Sequence, residues 1–308
     1  MKIAFFEIKP EEKVFFEEAL QVHELFFFEE TINSALSVMQ SYDVVSVFVH
    51  SIISDEILEK LPRVKYLQTR STGYDHIKCR LLYKRGLLLS NVAGYGGPAV
   101  AEFSFSLLLN MTRLAYVAIE RTKNDDLRYD DLKGVELYGK TIGILGLGTI
   151  GTQMARIAHG LGMKIVAFSR TRKAIVDELK IDFCDLKKVL TQSDIIMLAL
   201  PLTPATHHIL NQNNIDLLKA DAIVVNTARA ELIEEILYEK MDHRFGLDVI
   251  NNEKYIGQKN IIYTPHMAYY TEEALGRIMQ ISLKNIEAFL AEKVLPNCLQ
   301  LPCEKDYQ

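Results

Sequence analysis

Cysteine is scarce in this sequence and unpatterned. Four residues in 308, Cys79, Cys184, Cys298 and Cys303, include no C-x-x-C pair. No ligand set for a metal stands out, and reduced thiols in a cytoplasmic protein are the expectation. Basic charge is not in excess either. The 35 Lys and Arg against 40 Asp and Glu leave a formal net charge of −5, which offers no field for nucleic acid. No apolar run is long enough to cross a membrane, and the opening MKIAFFEIKPEEK lacks the apolar stretch of a secretory signal. Internal repeats and low-complexity segments are missing as well. What is present is 49% hydrophobic and 24% charged residues. That is the balance of a globular chain, here long enough for two domains.

The most informative stretch is Thr141–Gly151, TIGILGLGTIG. An apolar strand runs into Gly146-x-Gly148-x-x-Gly151, and a helical segment follows from Gln153. Gly146 suits a tight turn, Gly148 a close approach of backbone to a pyrophosphate, and Gly151 close packing of helix on sheet. The helix start adds unpaired N–H groups and a positive dipole end. A second apolar strand follows at Lys164–Phe168, then others at Ile195–Leu200, Ala222–Asn226, Phe245–Val249 and Asn260–Tyr263. Six strands complete a dinucleotide-binding domain.

The first third alternates strands at Lys2–Phe6, Glu24–Phe28, Val44–Val49, Val64–Thr69 and Leu87–Asn91 with helices at Pro10–Leu20 and Asp55–Leu61. This predicts a second parallel sheet. The runs Phe5-Phe6, Phe15-Phe16 and Phe26-Phe27-Phe28 are assigned to its core. A polar loop, Arg70–His76, follows a strand end, where such folds bind ligands. Val92–Pro98 is the hinge candidate, and Ala99–Tyr116 reads as one long helix too apolar to face water. Glu272–Glu292 is a helix able to run back to the first domain.

Polar residues stand at the strand ends of the second half: Arg229, Asp248, Glu253 in the loop beyond it, and His266. An arginine there can grip a carboxylate, a histidine can exchange a proton, and a carboxylate can hold and charge the histidine.

With these words in view, the chain resembles the D-isomer-specific 2-hydroxyacid dehydrogenases. The matching segments are STGYDHI, NVAGYG with VAEF, GILGLGTIG, LALPLTPATHHIL, NTARA, GLDVINNE and TPH, in the family's order from Ser71 to His266. The resemblance implies an α/β fold of two Rossmann-like domains with the active site in the cleft between them. One is a dinucleotide-binding domain over 94–267. The other is a smaller flavodoxin-like substrate domain, 1–93 with 268–308. It implies a catalytic set of Arg229 (substrate binding), Glu253 (the carboxylate paired with histidine) and His266 (acid/base). Substrate contacts fall to Thr72, Gly73, Tyr74, Tyr95 and Tyr269. Cofactor contacts fall to Gly146, Gly148, Thr149, Ile150, Gly151, Ser169, Arg170, Arg172, Pro201, Thr206, Thr227, Ala228 and Asp248. The implied reaction interconverts a small 2-oxo acid and its D-2-hydroxy acid, pyruvate first and glyoxylate or hydroxypyruvate next. The alternative is a non-catalytic, nucleotide-sensing partner protein on the same fold. The resemblance also implies a homodimer through the Ala99–Tyr116 region.

Two departures stand out. Ala230 follows Arg229 where the family carries glycine, so the turn there is expected to differ. The segment from Arg229 to Asp248 is short, although Glu231–Lys240 still reads as helical. After the second strand the turn is Ser169-Arg170-Thr171-Arg172-Lys173, with no carboxylate before Asp177. An acidic residue at that turn selects NAD. Its absence, with Ser169, Arg170 and Arg172 able to meet a 2′-phosphate, predicts NADP ahead of NAD.

Overall fold

The computed structural model describes residues 1–35, 41–77, 79–239 and 243–299. Two units divide it: Met1–Tyr95 with Thr271–Gln308, and Gly96–Tyr270.

In the first unit the apolar runs become β1 (Lys2–Phe6), α1 (Pro10–Ala19), β2 (Glu24–Phe28), β3 (Val44–Val47), α2 (Asp55–Glu59), β4 (Tyr66–Thr69), α3 (Leu81–Lys84) and β5 (Leu88–Ser90). All pairings are parallel, in the order β2-β1-β3-β4-β5, the flavodoxin-like winding. Phe5, Phe6 and Phe16 are fully buried. Phe26, Phe27 and Phe28 are half-buried because β2 is the edge strand and one side of it has no neighbour.

The second unit begins with α4 (Gly97–Arg113) and α5 (Ala115–Thr122), a helix pair where the sequence predicts one helix. Leu114 breaks it by taking φ +52°, a left-handed conformation that no helix can continue through. α4 buries ten residues, among them Phe105, Leu108 and Met111, which pack into the core of the second unit. Leu109 on the same helix stays 43% exposed. α5 buries none.

Then follow β6 (Thr141–Leu145), α6 (Thr149–Gly160), β7 (Lys164–Phe168), α7 (Ile175–Glu178), β8 (Asp182–Phe183), α8 (Leu186–Gln192), β9 (Ile195–Leu198), β10 (Ile223–Asn226), β11 (Arg244–Leu247) and β12 (Ile261–Tyr263). They form a seven-stranded parallel sheet, β12-β11-β10-β9-β6-β7-β8. The extra strand relative to the six expected is the two-residue β8. Between Arg229 and Asp248 two 3-10 turns, Ala230–Leu232 and Glu235–Glu239, replace the expected helix. Lys240 lies outside the described residues, as does Cys303. The last helix, α9 (Glu272–Leu290), is part of the first unit, where Ile286 packs with Phe5, Phe16 and Tyr66.

Candidate functional site

In the second unit, parallel strands bring their carboxyl ends to one edge, and the register aligns Asn226, Leu247 and Tyr263 across β10, β11 and β12. The residues just beyond are the chemical ones. Asn226 is fully buried, and its side chain shapes the turn: Oδ1 accepts the Ala228 N–H at 3.0 Å and Nδ2 donates to the Arg229 carbonyl at 2.7 Å. Arg229 is thereby presented half-buried, with Nη1 donating to the Ala228 carbonyl at 2.8 Å. Thr227 bonds Ser104 on α4 through their hydroxyls, 2.7 Å apart. Ala230 does not take positive φ. It sits in the 3-10 turn with its side chain buried, so alanine fits where the resemblance expects glycine.

Asp248 is fully buried and holds the next loop. Oδ1 accepts the Thr264 hydroxyl at 2.5 Å and the Met267 N–H at 3.0 Å, while Oδ2 accepts the Ala268 N–H at 2.8 Å. His266 is the middle of that loop, exposed, at φ +54°. A non-glycine residue pays about 1–2 kcal/mol for such a conformation, so the loop must be tied down on both sides of it. The Tyr269 ring meets the His266 ring edge-on, centroids 6.3 Å apart. Glu253 opens a 3-10 turn capped by Asn252 and is exposed. Its carboxylate forms no hydrogen bond or ion pair with another described residue, so the structure contains no Glu253–His266 hydrogen bond.

The glycine motif has the shape a dinucleotide needs. Gly146 sits at φ +104°, and a Cβ there would lie 2.6 Å from the Ala199 carbonyl oxygen. A Cβ on Gly148 would meet nothing within 4 Å. Open space at that position is what the approach of a pyrophosphate requires. α6 begins with no side-chain cap, which leaves the N–H groups at Thr149 and Ile150 facing that space with no partner among the described residues. Ser169 and the exposed Arg170 follow the end of β7. Arg172 is ion-paired with Asp177 and stacks 5.8 Å from the Phe183 ring centroid. Pro201 is exposed, and the Thr206 hydroxyl is used inside its own loop, donating to the Pro201 carbonyl at 2.6 Å.

In the first unit the Ser71–Tyr74 loop follows β4. Beneath it lies Arg70, buried to 1% exposure, whose Nη2 donates to the carbonyls of Phe6 and Glu7 at 2.8 Å each and whose Nη1 donates to Ser46 Oγ at 3.2 Å. Burial pushes the guanidinium pKa down, opposed by Glu12 and Glu7. The ends of β1, β3 and β4 are thus tied together. The backbone N–H groups of Thr72, Gly73 and Tyr74 have no partner among the described residues, which leaves a nest of three successive donors. Tyr74 is 47% exposed. Tyr95 is buried, and its carbonyl accepts from Arg277 Nε at 2.7 Å. Sequence reasoning missed the supports: Asn226, the loop-holding role of Asp248, and Arg70. The partners of Asp248 and Arg70 are too distant in the chain for spacing to reveal them, whereas those of Asn226 are its near neighbours Ala228 and Arg229.

Residues 105–268 match the model of the D-isomer specific 2-hydroxyacid dehydrogenase NAD-binding domain. The D-lactate dehydrogenase of Escherichia coli K12 is 31% identical over 96% of this chain and 99% of its own. The glyoxylate reductase of Thermococcus litoralis is 32% identical over 85% of each. The solved structure of Aquifex aeolicus D-lactate dehydrogenase, complexed with NAD and lactic acid, superposes at TM-score 0.89 and 28% identity, over 98% of this chain and all of that one. The chain belongs to the D-isomer-specific 2-hydroxyacid dehydrogenase family.

Proposed function

We propose that this protein interconverts a small 2-oxo acid and its D-2-hydroxy acid with a nicotinamide dinucleotide, pyruvate being the first candidate substrate. The observation that carries the reading is that Arg229 and the tied-down His266 loop share one sheet edge with a glycine cradle fitted to a dinucleotide. Gly146, Gly148, Gly151 and the N–H groups of Thr149 and Ile150 would hold the pyrophosphate. The chemistry the cofactor supplies when bound is a hydride. Arg229 grips the substrate carboxylate and polarises the carbonyl oxygen. His266, as imidazolium, gives its proton to the developing alkoxide, and Glu253, not bonded to His266 in this structure, is the carboxylate that pairs with it during the reaction. The nest of Thr72, Gly73 and Tyr74 takes the substrate carboxylate. Tyr269, edge-on to His266, bounds the substrate side chain and favours a small one.

NADP is preferred over NAD in this reading. Exposed Arg170 has no described partner, and the turn after β7 carries no carboxylate to repel a 2′-phosphate. A homodimer is also proposed. α5 buries none of its residues within the subunit, and Ile119 is 55%, Tyr129 76% and Tyr138 79% exposed, an apolar surface that a second copy would cover.

The test is turnover of a panel of 2-oxo acids with NADPH and NADH, the product resolved by chirality. Reduction of pyruvate, glyoxylate or hydroxypyruvate, with a D product wherever a stereocentre forms, supports the proposal. Absence of turnover, an L product, or a much higher kcat/KM for branched or aromatic acids contradicts it.

A further inference from the structure

We propose that Ser71 and Asn91 are positioning residues that aim the 72–74 nest at the substrate carboxylate. The inference rests on the carboxylate-binding role just assigned to that loop.

In a planar trans peptide the C=O of one residue and the N–H of the next point in opposite directions. Pinning a carbonyl inward therefore aims the following N–H outward. Three successive carbonyls of the loop are pinned. The Ser71 carbonyl accepts the Val92 N–H at 2.9 Å, which turns out the N–H of Thr72. The Thr72 carbonyl accepts Asn91 Nδ2 at 2.7 Å, which turns out that of Gly73. The Gly73 carbonyl accepts the Ser71 hydroxyl at 2.6 Å, which turns out that of Tyr74. Two of the three pins are side chains, and both residues are buried.

Each of those side chains is itself held. The Ser71 hydroxyl proton goes to Gly73, so Ser71 Oγ must accept from the Thr69 hydroxyl, 2.6 Å away. The Thr69 proton is then committed, so His76 must donate from Nε2 across 3.0 Å. The chain His76–Thr69–Ser71–Gly73 has one direction and puts a proton on His76 Nε2. Asn91 is clamped through its backbone: its carbonyl accepts Asn285 Nδ2 of α9 at 3.0 Å and its N–H donates to the Asn297 carbonyl at 3.3 Å. All of these groups lie in the first unit. A turn that only reversed the chain would not need its carbonyls held by buried side chains while three N–H groups stay unused. An anion is the ligand that uses them.

The experiment compares wild type, Ser71→Ala and Asn91→Ala for kcat and KM with pyruvate, and for the Kd of oxamate, a carboxylate that cannot be reduced, on NADPH-loaded enzyme. Thermal unfolding and NADPH affinity serve as controls. The expected result is a rise of about tenfold in pyruvate KM and oxamate Kd, the worth of one charge-assisted hydrogen bond, with kcat changed far less and NADPH affinity unaltered. Ser71→Ala removes a single oxygen and serves if Asn91→Ala folds poorly. Unchanged oxamate Kd in a folded variant overturns the proposal. Oxamate binding that weakens in the variants while wild type reduces no 2-oxo acid upholds it and overturns the catalytic reading instead.

Discussion

Asp248→Asn is the substitution that most sharply separates the His266 loop from its support. The carboxylate takes three donors: the Thr264 hydroxyl and Met267 N–H on Oδ1, and the Ala268 N–H on Oδ2. Asparagine offers a single oxygen. Whichever way its amide is turned, the NH2 faces a backbone N–H, of Met267 or of Ala268, and that buried donor is orphaned. The cost is about 1–3 kcal/mol. For a unit the size of Gly96–Tyr270 that is a fall in Tm of roughly 2–12 °C. The functional effect follows from φ +54° at His266, a strained conformation that relaxes once one end of the loop is released. A displacement of about 1 Å in a positioned acid costs on the order of a hundredfold in rate. Steady-state kcat with pyruvate and NADPH, alongside Tm, is the assay. Wild-type kcat in the folded Asp248→Asn enzyme would refute the claim that this carboxylate places His266.

The glycines test the cradle. Gly148→Ala meets nothing within 4 Å and adopts a φ of −74° that alanine tolerates, so Tm should hold while NADPH Kd rises at least about tenfold. Gly151→Ala would place Cβ 1.8 Å from the Gly146 carbonyl oxygen and should impair folding itself, so a stable, active Gly151→Ala contradicts the packing. For cofactor choice, kcat/KM should favour NADPH over NADH by roughly ten- to hundredfold, and Arg170→Ala should remove the difference. Equal values, or an NADH preference in wild type, would dismiss the role of Arg170. Light scattering at micromolar concentration should give twice 35.1 kDa, and Ile119→Lys should return the monomer. A 35.1 kDa species in wild type would count against a dimer.

Both parallel sheets were legible because buried strands read as unbroken apolar runs such as Ile142–Leu145 and Ile223–Val225, bounded by glycine or polar turns. The placement of Arg229, Asp248 and His266 beyond strand ends was legible because parallel strands deliver whatever follows them to one edge. Elsewhere local signals fell short. Nothing in LLLNMTRLAYVAIE marks Leu114 as left-handed, so two helices read as one. Glu231–Glu239 has helical composition, yet it folds as the 3-10 turns Ala230–Leu232 and Glu235–Glu239. β8, at two residues, is below what periodicity can register. Supports such as Asp248 to Ala268 or Asn285 to Asn91 join residues 20 and 194 positions apart, which only the fold brings together.

The central claim is that His266 supplies the proton in reduction of a 2-oxo acid. Its most direct test is NADPH oxidation by wild type and His266→Ala at saturating pyruvate, with NADPH affinity measured on the same preparations. The expected result is a loss of about a hundredfold or more in kcat with NADPH binding retained. Equal turnover in the folded variant would contradict it.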